Sequence, residues 1–148
     1  MTTYWAARFL AAAELERRGC RVALSAEDAP GFDLSVTSAT GEQFVVDVKG
    51  LASVGTPWLG LIKPRRRDLF YILVFVGPDR SDDRFFILEQ LEWNAFVEDY
   101  QRNHPYDPTP GFLWDAPLKH EAQWGRLKGN PSRKTKKGKK KPMAECKY

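Results

Sequence analysis

The 148-residue sequence predicts an α/β domain, with a central mixed β-sheet flanked by helices. Three observations carry that prediction. Segments of helical and strand character follow one another in the order α, β, β, β, loop, β, β, α. Two alternating segments, DLSVT and QFVVDVK, are separated by the polar loop SATGE, the signature of an antiparallel hairpin. The run Leu69 to Val76 is almost continuously apolar, as expected of a central strand covered on both faces.

Each element follows from its local chemistry. Residues 3 to 18 are mostly good helix formers and end at Gly19, a natural helix stop. Arg21 to Ser25 alternates like a short strand, and the residues at 27 to 31 are turn material. Asp33 to Thr37 and Gln43 to Lys49 form the hairpin. The following LASVGTPWLGLIKPRRRD is punctuated by glycine and proline and shows no period. After the apolar strand, residues 77 to 83 make a turn and Arg84 to Leu88 a further strand. Glu89 to Arg102 reads as a helix with Leu91, Ala95 and Phe96 inward. The proline-rich HPYDPTPGFLWDAP is irregular and brings Phe112 and Trp114 over the core, before a short helical segment near Lys119 to Trp124.

Composition limits the class of molecule. With 43% hydrophobic and 13% aromatic residues, the chain suits one soluble globular domain. Its net charge of +4 is unevenly spread: Arg126 onward holds ten Lys+Arg against one acid, whereas residues 1 to 125 hold thirteen against eighteen. The division expected is therefore a folded domain over 1–125 and a basic, disordered tail over 126–148, whose SRKTKKGKKKP core suits contact with phosphate through charge alone. Cys20 and Cys146 lie far apart without paired spacing, which points away from a disulfide framework or zinc site and towards a reducing, cytoplasmic setting. The opening MTTYWAARFLAAAELERRG reads as an amphipathic helix rather than an export signal, and the Leu69 to Val76 run is too short to cross a bilayer as a helix. Neither glycine-rich nucleotide-phosphate loop pattern occurs.

The chemistry concentrates in FVVDVK, residues 44 to 49. Side chains two apart share a strand face, so Asp47 and Lys49 project together while Val46 and Val48 point the other way. If the hairpin is symmetric about Thr40, Asp33 stands opposite Asp47. Directly opposed residues lie about 4.5–5.5 Å apart at Cβ, so the two carboxylates repel. Holding such charges in a partly dry site costs several kcal/mol per ion without compensation. A divalent cation resolves the conflict, and hard oxygen donors point to Mg²⁺ or Mn²⁺. Lys49 on the same face suits orientation of an attacking water or stabilisation of a phosphorane-like transition state. An isolated D-x-K also fits an exposed ion pair on a half-solvated strand, with Asp33 capping a turn.

The surroundings of the motif add weight to the catalytic reading. A helix ending in ELERRG, a strand, APGFD, a hairpin, VVDVKG and a strongly apolar strand together resemble the PD-(D/E)XK nuclease superfamily over roughly residues 5 to 100. The resemblance implies the restriction-endonuclease-like αβββαβ core. It assigns Asp33 as the first acid, Asp47 as the second and Lys49 as the lysine; Gly31-Phe32 precedes Asp33 where the name-giving pattern has proline. It further implies a helix acid at the metal. Glu14 and Glu16 project roughly 200° apart, so one of them faces the site. Glu14 continues the stripe of Ala7, Leu10 and Ala11 and is the preferred ligand beside Asp33 and Asp47, although it also suits a surface pair with Arg17 or Arg18. If the family's acid lies a turn or two earlier, this chain has Arg8 there and a leaner site.

Further candidates surround this centre. Lys63, Arg65, Arg66 and Arg67 suit a phosphate clamp as well as a solvated basic turn. Trp58 suits core closure or base stacking, and His104 and His120 read as surface residues. The expected activity is Mg²⁺- or Mn²⁺-dependent endonucleolytic hydrolysis of DNA, duplex or branched. Specificity would come from nucleic-acid structure, a homodimer or a protein partner. The alternative is a catalytically inactive nucleic-acid-binding module or accessory subunit on the same fold.

Overall fold

Two alanines four residues apart, Ala7 and Ala11, let the first helix lie close on a sheet. The computed structural model describes residues 3–26 and 31–129. In it α1 (Thr3–Arg17) buries Ala7, Ala11 and Leu15 along one stripe. Gly50 permits the close approach of this helix to the sheet, since a Cβ there would sit 2.8 Å from the Ala7 Cβ and 3.0 Å from the Thr3 carbonyl oxygen. The helix stops before Gly19, which turns the chain at φ +88°.

The strands are β1 (Arg21–Leu24), β2 (Leu34–Thr37), β3 (Gln43–Leu51), β4 (Trp58–Leu59), β5 (Leu69–Phe75), β6 (Arg84–Glu89) and β7 (Gly111–Phe112). Five of them form one mixed sheet in the order β1-β2-β3-β5-β6. Only β3 and β5 run parallel; the remaining neighbours are antiparallel. The β2–β3 register runs from Leu34↔Val46 to Thr37↔Gln43, the hairpin symmetric about Thr40 that the sequence suggests. Beside it, Asp47 pairs with Tyr71 and Lys49 with Leu73.

Alternation on β5 divides the interior in two. Phe70, Ile72 and Val74 join Val46, Val48 and the α1 stripe in one core. Leu69, Tyr71 and Leu73 join Trp58, Trp93 and Phe112 in the other. Trp58 and Phe112 close the core as expected of them, and Trp114 is half-buried beside them. This second core lies under α2 (Gln90–Asn103), whose inward face corrects the sequence reading. Trp93 and Val97 are buried, whereas Leu91 is 54% exposed and Ala95 also faces solvent. The decisive contact is Trp93 stacked on Tyr71, with ring centroids 4.5 Å apart and planes 1° from parallel.

The link between β3 and β5 departs from the αβββαβ pattern. Residues 52–68 contain no helix; they hold the short β4, which pairs with β7. Gly55, Pro57, Gly60 and Pro64 disfavour a helix there, and α2 satisfies the irregular backbone instead. The Gln90 amide accepts from Arg66 N–H (2.7 Å) and donates to the Lys63 and Pro64 carbonyls (3.1 and 2.9 Å), while Trp93 Nε1 donates to Leu61 O (3.3 Å).

The C-terminal part of the domain also differs from expectation. The 3₁₀ turns Leu118–His120 and Trp124–Arg126 pack on β6, and Leu127 is buried, so the fold continues through the expected boundary at residue 125. His120 is 6% exposed rather than a surface residue: its Nε2 lies 3.1 Å from Glu92 Oε2, and Arg126 contacts both side chains. Glu92 is twenty-eight residues away in sequence, which hid the pairing. His104 is exposed and stacks on Tyr100. Cys20 is a buried free thiol. Residues 27–30 of the turn expected over 27–31, the SRKTKKGKKKP segment and Cys146 lie outside the described residues. No described helix is long and apolar enough to cross a membrane.

Gly111 is indispensable to the β4–β7 pair, because a Cβ there would stand 2.0 Å from the Trp58 carbonyl oxygen. Gly111→Ala is expected to cost about 1–3 kcal/mol, read as a lower denaturation midpoint with an unchanged m-value; an unaltered midpoint would show that the pairing tolerates the methyl group.

Candidate functional site

The parallel pairing of β3 with β5 brings Asp47 and Lys49 onto the α2 side of the sheet, beside Tyr71 and Trp93. Asp47 is 2% exposed. Its Oδ1 lies 3.1 Å from Lys49 Nζ, and its Oδ2 is paired with Lys63 Nζ, which also donates to Gly31 O at 3.2 Å. Lys49 extends over Trp93 with Nζ 5.7 Å from the ring centroid. Gly60 makes room for it, since a Cβ there would meet the Trp93 ring at 2.7 Å and Lys49 Cε at 3.1 Å.

Asp33 reaches the same place from the start of β2. Its Oδ2 accepts a hydrogen bond from the Val48 N–H (2.7 Å), its Oδ1 accepts from the Tyr4 hydroxyl (3.0 Å), and Arg8 Nε stands 3.7 Å from Oδ1. Arg8 is wholly buried, donating to the Ser25 and Asp33 carbonyls at 3.0 and 3.1 Å, with its guanidinium over the Trp5 ring at 4.7 Å. A cleft of about 550 Å³ opens on this cluster; Tyr4, Asp33, Asp47, Lys49, Leu59 and Lys63 are among the residues lining it.

The electrostatics show two crowded acids. Burial raises the Asp33 carboxyl above the ordinary carboxylate value and the neighbouring Asp47 charge raises it further, against the opposing Val48 and Tyr4 hydrogen bonds and Arg8. The Tyr71 phenol is also raised, by burial first and then by Asp47. The sequence expectation that Asp33 and Asp47 share a space with Lys49 therefore has a geometric counterpart.

No family model, curated protein or solved structure matches this chain. The chemistry of the cleft must be argued from its own residues.

Glu14 is not brought to the cleft. It lies 3.6 Å from Arg17 and 3.8 Å from Arg18, and Arg18 in turn covers Trp124, so the expected metal ligand is a helix-surface ion pair. Glu16 is elsewhere too, accepting from Val22 N–H at 2.9 Å. The α1 residues present at the site are Tyr4 and Arg8, about three and two turns nearer the helix start than Glu14. Of the four basic residues expected to grip phosphate, Lys63 belongs to the acidic centre itself. Arg65, Arg66 and Arg67 are exposed along a neighbouring cleft of about 450 Å³. Arg66 pairs with Asp68 (2.6 Å) and lies over Phe32. Sequence reasoning missed the union of Lys63 with Asp47 because the crossover carries no periodicity to place it.

Among the described residues no three His, Cys, Asp or Glu side chains form a group that could hold a metal ion. The carboxylate donors of the cleft are Asp33 and Asp47. That pair fits Mg²⁺ or Mn²⁺, because Mg²⁺ commonly takes one or two carboxylates and completes its octahedron with waters and substrate phosphate.

A carboxyl raised in the folded state binds its proton more readily folded than unfolded. Its contribution to stability is therefore most favourable in acid and is lost as pH rises from the ordinary carboxylate value through the folded one. In EDTA, Asp33→Asn is expected to gain melting temperature relative to the native chain as pH is raised from acid to neutrality; thermal melts showing a constant or shrinking difference would contradict this.

Proposed function

We propose that this chain is a cytoplasmic, divalent-cation-dependent nuclease that hydrolyses phosphodiester bonds in DNA. The observation carrying the reading is the convergence of Asp33, Asp47 and Lys49 at the mouth of one open cleft. Two crowded carboxylates beside an ammonium suit a reaction in which water attacks phosphorus, negative charge grows on the phosphoryl oxygens and an alkoxide leaves.

Asp33 and Asp47 would hold Mg²⁺ or Mn²⁺, which supplies Lewis-acid polarisation of the phosphoryl oxygen and offsets its developing charge. Lys49 is positioned by Asp47 and by the Trp93 face to donate a hydrogen bond to the attacking water or to a phosphoryl oxygen. The Val48 N–H and Tyr4 hydroxyl hold Asp33 in place. The Arg65 to Arg67 cleft beside the site suits the flanking phosphates of a duplex or branched substrate. A homodimer would present two such clefts to the two strands, and a partner protein would supply selectivity beyond backbone contacts.

A second reading is favoured by one specific observation: both Asp47 oxygens already carry a lysine ammonium, as in a structural ion pair. On that reading the chain is a catalytically inactive nucleic-acid-binding module. Incubation with plasmid, branched DNA and RNA, with Mg²⁺, Mn²⁺ or EDTA, separates the two. The nuclease predicts cleavage abolished by EDTA and reduced about 10²–10³-fold by Asp47→Asn or Lys49→Ala. Binding without cleavage under both metals would establish the module instead, and cleavage undiminished in both variants would place the activity elsewhere.

A further inference from the structure

Lys63 is the feature of the site that the nuclease reading leaves without a role. It arrives from the crossover between β3 and β5, the adjoining carbonyls of Lys63 and Pro64 are held by Gln90, and its ammonium is seated on Asp47 Oδ2. Asp47 Oδ1 is taken by Lys49 and Asp33 is flanked by Arg8. Two carboxylates are thus faced by three basic side chains, and the cluster already carries a positive excess. A divalent cation entering it would meet repulsion from the ammonium on Oδ2 and compete for the same oxygen.

We propose, building on the nuclease reading, that Lys63 is a cation surrogate that makes metal binding at Asp47 depend on nucleic acid. In the free protein the Lys63 ammonium occupies Asp47 Oδ2 and weakens metal binding. A phosphate entering the cleft offers this ammonium an alternative anion within the same open space, which Lys63 lines together with Asp47 and Asp33. Transfer of Lys63 from carboxylate to phosphate releases Oδ2 and removes one positive charge from the carboxylates. Metal and DNA then bind with positive coupling, and linkage requires each to tighten the other by the same factor. The anchoring favours such a transfer: Gln90 fixes the backbone of residues 63 and 64, while the long Lys63 side chain remains 31% exposed.

The test is titration calorimetry with Mn²⁺, with and without a short DNA duplex carrying phosphorothioate linkages to suppress cleavage. Native chain, Lys63→Met and Asp47→Asn are compared, with thermal melts confirming that each is folded. The native chain is expected to bind Mn²⁺ roughly tenfold more tightly with DNA than without it. Lys63→Met is expected to bind Mn²⁺ about tenfold more tightly than the native chain when DNA is absent, and to lose most of the DNA-dependent gain. Equal or weaker Mn²⁺ affinity in Lys63→Met, with Asp47→Asn abolishing binding, would overturn the role of Lys63 while leaving the metal site standing. Absence of Mn²⁺ binding to the native chain in both conditions would overturn both.

Discussion

A carboxylate that is 2% exposed within a β-sheet must obtain its counter-charges from the protein, and Asp47 imposes that demand on the whole α2 side of the molecule. Two elements meet it: β3 supplies Lys49 two residues along the same face, and the crossover supplies Lys63. Beside them β5 places Tyr71, on which the indole of α2 is stacked. Those elements are themselves interdependent. Gln90 and Trp93, at the start of α2, bond the backbone of the crossover that carries Lys63, and Gly60 in that crossover leaves the space through which Lys49 passes. Losing the contact between α2 and the crossover would free Lys63 and leave Lys49 as the counter-charge of Asp47.

The opposite side of the site obeys the same rule with different chemistry. Asp33 is stabilised by a backbone N–H, a tyrosine hydroxyl and a buried guanidinium, all fixed by the packing of α1 on β3. Arg8 is tied to the Ser25 and Asp33 carbonyls and lies across aromatic rings of its own helix, so it is a built-in part of the scaffold rather than an adjustable side chain. The α1 face therefore holds its acid rigidly, whereas the crossover holds Asp47 through a long, partly exposed lysine.

Replacing a crossover helix with irregular chain has a structural consequence. A helix would satisfy its own backbone; residues 52–68 instead borrow hydrogen-bond partners from α2 and from the β7 region. Trp58 and Phe112 then fill the space that a helix would cover. The half-buried side chains of Glu92 and Arg126 gather in turn around the buried His120, tying α2 to the C-terminal 3₁₀ turns.

Local pattern determined much of this protein. The periodicities of α1, β2, β3, β5 and β6, the hairpin centred on Thr40 and the shared face of Asp47 and Lys49 follow from side-chain alternation and turn chemistry, which act over a few residues. The same reasoning placed Asp33 beside Asp47, because a hairpin's register is set by its own loop. It failed wherever the answer depended on a distant partner. Glu14 lies on a plausible stripe, but the angle at which α1 crosses the sheet gives the cleft Tyr4 and Arg8 instead. Leu91 looks like a core residue, yet the stacking of Trp93 on Tyr71 turns it outward. Lys63 and His120 meet acids sixteen and twenty-eight positions away, across segments without period. Only the tertiary packing of α2 on the crossover decides those encounters, because their charges are brought together by contacts that no local rule encodes.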